Sequence, residues 1–225
     1  MNPLDYRPSY RRRLPHLQPP GATLFVTFRL AGSIPKSAFQ KWSAEKARMQ
    51  KSLELIEDSD ARNVRKRQYQ REWFRKSEAF LDKESHGPLW LKDERAARIV
   101  MGAMRFMDGK VFSLDAFCVM ANHVHVVFAP LAIQSAEVVT ETRNSEDCFT
   151  YHSLASIMHS LKGFTSNKIN KALERSGQFW ARETFDHFVR DEHEFARIIK
   201  YVLHNPVKAG LVKQWSDWPY SYCRT

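Results

Sequence analysis

The chain has little of what stapled or membrane-spanning folds require. Three cysteines, Cys118, Cys148 and Cys223, occur in 225 residues. Their odd number and lack of metal-finger spacing argue against a disulfide framework and for a reduced, intracellular setting. No apolar run approaches the roughly 20 residues that cross a bilayer. The opening MNPLDYRPSYRRRLPHLQPPG has no apolar stretch of the kind that directs secretion. Internal repeats and low-complexity tracts are missing too. A cytoplasmic protein with no membrane association is expected. Acidic residues are in deficit, with 25 Asp and Glu against 35 Lys and Arg, a net charge of +10. That balance suits a polyanionic partner, most simply nucleic acid.

What is present is globular: 43% hydrophobic and 12% aromatic residues, enough to build a sizeable core. Residues 1–21 read as a basic Pro/Arg-rich arm with the run Arg11-Arg12-Arg13. ATLFVTFRL, Ala22 to Leu30, alternates β-branched and aromatic residues between two glycines and predicts a strand. Residues 36–83 hold 13 Lys or Arg and 8 Asp or Glu but neither Gly nor Pro. They predict a helical hairpin broken near Asp58-Ser59-Asp60, inserted into the domain, with a charged and mainly solvated face. Residues 93–109 follow as a helix ending on Gly109. Two strands come next, KVFSLDAFCVM and HVHVVFAP, separated by Ala121-Asn122. The polar stretch 131–150 predicts a surface loop, and His152 to Leu173 a helix. A short strand is expected around ETFDHFV, then a helix over 191–204, capped by Asp191 and stopped at Asn205-Pro206.

Without the insertion, the order is βαββαβ plus a C-terminal helix. It predicts an α+β, ferredoxin-like antiparallel sheet, one domain over 22–223 interrupted at about 36–83. His123 and His125 would lie at the start of a central strand. Residues two apart on a strand face the same side, so His123-Val124-His125 offers two imidazoles to a divalent cation. Buried histidine pairs also occur with no ligand role. A second pair gives them company. Tyr201 and Asn205 stand one helical turn apart, a phenol beside a carboxamide oxygen, which is a hard ligand for Mg²⁺ or Mn²⁺. Together the four have the parts for metal-assisted phosphoryl transfer with tyrosine as nucleophile. His204 points away, and Lys162, Arg190, Arg197 and Lys208 are candidate phosphate contacts.

The HVH behind an M-x-N-H turn, IIKYVLHNPVKAGLV at 198–212 and WSDWPYSYC at 215–223 together resemble the REP-associated tyrosine transposases. These are single-tyrosine HUH transposases related to bacterial insertion-sequence enzymes. The resemblance is strongest at 117–130 and 179–222. It implies a domain that cleaves and rejoins single-stranded DNA, often beside hairpins, as a monomer or homodimer. By position, His123 and His125 become the metal pair, Asn205 the third ligand and Tyr201 the nucleophile. Asn205 stands where many insertion-sequence relatives have Gln, and Ala121 replaces a frequent Pro. Two other functions fit the same residues: a non-catalytic nucleic-acid-binding regulator, and a nuclease that activates water.

Overall fold

The computed structural model describes residues 21–82, 87–133 and 150–224. The N-terminal arm and the loop expected at 131–150 lie, but for their ends, outside the described residues. Among the described residues, five strands make one antiparallel sheet: β1 (Leu24–Leu30), β2 (Phe112–Val119), β3 (His123–Pro130), β4 (Trp180–Phe188) and β5 (Ser221–Cys223). Their spatial order is β4-β1-β3-β2-β5. Helices α1 (Lys36–Glu54) and α2 (Ser59–Leu81) follow β1, and α3 (Glu94–Met107) precedes β2. Helix α4 (Leu154–Ala172) links β3 to β4, and α5 (Glu192–Lys208) follows β4. The mixed α/β fold with an antiparallel sheet is as the sequence leads one to expect. Strand β5 is not foreseen, because three residues carry no readable periodicity.

Alternation along the strands sorts side chains into two layers. Leu24, Val26, Phe28 and Leu30 of β1 join Val124, Val126 and Phe128 of β3 in the larger core, beneath α3 and α4. Phe25, Val127, Ala116 and Cys118 face the other way, against Val202 of α5 and the ring of Phe74 from α2. A register shift between Leu114 and Ala116 lets β2 keep Phe112, Leu114, Phe117 and Val119 in the same larger core. The histidines lie on the second face, opposite α3 and α4.

Two helix ends show local chemistry at work. Asp58 caps α2, its Oδ1 accepting from the amides of Asp60 and Ala61 at 2.7 and 3.1 Å. Helix α5 does not stop at Asn205-Pro206 as the sequence suggests; it runs on to Lys208 with Pro206 inside it. Proline removes the donor that the Val202 carbonyl would otherwise receive. The Asn205 amide partly replaces it, with Nδ2 2.8 Å from the Tyr201 carbonyl and 3.5 Å from that of Val202. No helix among the described residues is long and apolar enough to cross a membrane.

Candidate active site

Strand β3 sits between β1 and β2, so His123 and His125 are almost fully buried, at 1% and 0% exposure. Their Nε2 atoms face each other at 3.0 Å. His123 Nδ1 lies 2.6 Å from Asn122 Oδ1, while Asn122 Nδ2 donates to the Leu81 carbonyl at 3.0 Å. That network assigns the hydrogen of His123 to Nδ1, which leaves its Nε2 a bare lone pair. His125 is held from behind by the Thr27 hydroxyl, 2.8 Å from Nδ1. Two ring nitrogens aimed at one point require a shared proton or a cation between them.

The group completing the cluster comes from the insertion. Glu78 of α2 is 3% exposed, and its Oε2 lies 3.1 Å from His125 Nε2. Among the described residues, Glu78, His123 and His125 form the one group of His, Cys, Asp or Glu side chains close enough to share a metal ion. The Tyr201 hydroxyl donates to the same Glu78 oxygen. The Tyr201 ring packs on Phe25 and Phe74, with centroids 5.9 Å away in both cases, and on His125 at 5.5 Å. Asn205, one turn further along α5, is buried, and its Oδ1 has no hydrogen-bond partner among the described residues. The structure thus gathers His123, His125 and Tyr201 around Glu78, with Asn205 on the same helix as the phenol.

Sequence reasoning passes over Glu78 because it lies in a helix crowded with charge. One signal was there: Phe74, Ser77, Glu78 and Leu81 follow the i, i+3, i+4, i+7 pattern of a buried stripe. A carboxylate in that stripe needs a partner. Three of the four candidate phosphate contacts have other occupations, and Arg197 is exposed. Lys162 Nζ lies 3.0 Å from the Ala181 carbonyl and 2.7 Å from Thr184 Oγ1, and Lys208 pairs with Asp82 at 2.6 Å. Arg190 lies over the ring of Phe188, and His204 is exposed as expected.

Burial and charge set the protonation states. Burial would raise the Glu78 carboxyl, but His125, then His123 and the Tyr201 hydroxyl, outweigh it and hold the acid at about 2. Burial, followed by the neighbouring His125, pushes His123 down to about 3. Tyr201 goes the other way. Burial, the Glu78 charge and the hydrogen bond to Glu78 drive its phenol far above the ordinary range, and Asn205 offsets only part of this.

A pH dependence follows. His123 stays neutral in the fold down to about 3, whereas in the unfolded chain it takes up a proton near its usual 6.5. The unfolded state therefore binds more protons in that window. The contribution of His123 is complete above pH 6.5 and shrinks as the pH falls, by up to ~1.4 kcal/mol per unit. Glu78, depressed from 4.5 to about 2, acts in the same direction at lower pH. Guanidinium midpoints in metal-free buffer should drop steadily from pH 6.5 to 4. His123→Gln should flatten that decline, and an unchanged slope in the variant would refute the assignment.

No family model matches the chain. It is similar to a protein of Haemophilus influenzae (strain ATCC 51907 / DSM 11121 / KW20 / Rd) named as a REP-associated tyrosine transposase. Identity is 29% over 118 residues, 49% of this chain and 58% of the relative. A REP-associated tyrosine transposase of Escherichia coli (strain K12) shares 40% identity over 42 residues, 19% of this chain and 26% of the relative. The chain therefore spans little more than half the length of the longer-matching relative. Among solved structures, that of a REP-associated tyrosine transposase bound to a REP hairpin aligns with 94% of this chain and 80% of its own. Its TM-score is 0.43 and its identity 16%.

Proposed function

From the similarity to REP-associated tyrosine transposases, we propose that this protein is a metal-dependent enzyme that cleaves and rejoins single-stranded DNA beside hairpins, in the cytoplasm, through a 5′-phosphotyrosine. The observation that carries the proposal is the facing pair of imidazole Nε2 atoms, 3.0 Å apart, with a partly buried phenol hydrogen-bonded to Glu78 at their edge. A structural histidine pair needs no nucleophile, and a core tyrosine needs no metal ligands.

The donor set fits Mg²⁺ or Mn²⁺. His123 and His125 supply nitrogen, and Asn205 Oδ1 is a buried carbonyl oxygen with no partner among the described residues. When bound, such a cation would withdraw charge from the scissile phosphate. Asn122 and Thr27 fix the two rings from behind, the role that outer hydrogen bonds play for ligating histidines. Tyr201 Oη forms the new bond to phosphorus as the bond to the 3′-oxygen breaks. The phenol proton ends on the released 3′-hydroxyl, and the 5′-phosphate stays on the protein. A second 3′-hydroxyl reverses the exchange. No nucleotide hydrolysis is required, because the phosphodiester energy is kept in the protein–DNA bond.

The direct test is incubation with a labelled single-stranded hairpin oligonucleotide and Mg²⁺ or Mn²⁺. A denaturation-resistant protein–DNA adduct should form and disappear on chelation. Saturating binding with neither adduct nor nick would leave a DNA-binding regulator instead.

A further inference from the structure

Glu78 sits where a substrate anion has to go. Its Oε2 accepts from the Tyr201 hydroxyl and lies 3.1 Å from His125 Nε2, so one carboxylate oxygen bridges the nucleophile and the imidazole pair. A phosphate oxygen has the same charge sign and the same need for donors. In-line attack needs phosphorus within about 3–3.5 Å of the phenol oxygen. Carboxylate and phosphate cannot share that place. A carboxylate against the hydroxyl also opposes phenolate formation, since like charges disfavour each other.

The helix that carries Glu78 clamps the site without belonging to the sheet. Phe74 stacks on Phe185 with centroids 4.3 Å apart and meets Phe25 edge-on at 5.5 Å. Beyond Glu78, the Leu81 carbonyl accepts from Asn122, and Asp82 pairs with Lys208. Ser77, Glu78 and Leu81 are buried, while Arg71 and Arg75 on the same helix face solvent. No ladder of the sheet involves α1 or α2, so the hairpin can lift without breaking a strand pairing. Solvent-facing cations on the lifting element suit attraction of a DNA backbone.

We propose that α2 is an autoinhibitory strap, in which Glu78 stands in for the scissile phosphate until single-stranded DNA displaces it. The strap rests on the proposed function, because it presupposes Tyr201 as nucleophile. Hydrogen exchange on the full chain tests it directly. With a single-stranded hairpin oligonucleotide bound in chelator, amides at 71–81 should exchange about tenfold faster than in the free protein. Unchanged or slower exchange there would mean that α2 stays down on the DNA, and would overturn the strap. Glu78→Gln provides the second arm. With the charge that binds it to His125 removed, oligonucleotide affinity should rise about tenfold, and adduct should form faster than with the parent. Slower adduct formation would make Glu78 a working part of the reaction and end the proposal. If neither protein forms adduct, the proposed function fails, and the exchange measurement still decides the strap.

Discussion

Tyr201→Phe is expected to abolish the covalent protein–DNA adduct and to lower strand cleavage by about 10⁴-fold or more, the scale on which loss of a nucleophile registers. The substitution removes a single oxygen. The ring keeps its places against Phe25, Phe74 and His125, and Glu78 keeps its contact with His125. Folding and DNA binding should therefore survive, which makes the loss interpretable. Electrophoresis under denaturing conditions reads the adduct, and the labelled strand reads cleavage. If the variant cuts as fast as the parent, water is the nucleophile and the protein is a metal nuclease.

His125→Ala should do damage of a different kind. It deletes one of the two facing nitrogens and leaves Glu78 buried beside His123 and Tyr201 without the imidazole 3.1 Å from its Oε2. Breaking a buried pair by removing one member typically costs about 3–5 kcal/mol, so the guanidinium midpoint should fall sharply even before metal is considered. Adding Glu78→Gln to this variant should restore much of the loss, because the stranded charge is gone. The coupling in this double-mutant cycle is the quantity to measure. Additive losses would mean that the two side chains do not communicate. Divalent-metal affinity, followed by calorimetry, should drop in the single variant and stay low in the double one. That separates stability from ligation.

The legible part of this protein is the part with periodicity. Alternation places His123 and His125 on one side of β3, and helical spacing places Tyr201 near Asn205; both rest on local geometry alone. The antiparallel sheet follows from the order of elements. Glu78 is different in kind. It precedes His123 by 45 positions (123 − 78) and reaches it only because a hairpin of unremarkable charged sequence folds back over the sheet. Local propensity says nothing of such docking, and 13 cations among 48 residues hide one inward carboxylate. The run of α5 through Pro206 was obscured for a related reason: Asn205 reads as a helix stop until its side chain is seen reaching back to the carbonyls of Tyr201 and Val202, the second of which proline leaves without its donor. Strand β5, three residues long, owes its place to pairing with β2.

One small contact has a wider consequence. The side chain of Asn122 grips the end of α2 through Leu81 and, with its other atom, fixes the ring of His123. Lifting the helix releases one hand of that amide and leaves His123 freer to turn. Metal affinity and helix position are then two readings of one equilibrium, and by thermodynamic reciprocity each must bias the other to the same degree. A cation titration of this protein would report how tightly α2 is held, with no DNA in the tube. A DNA titration would report the same balance from the opposite side.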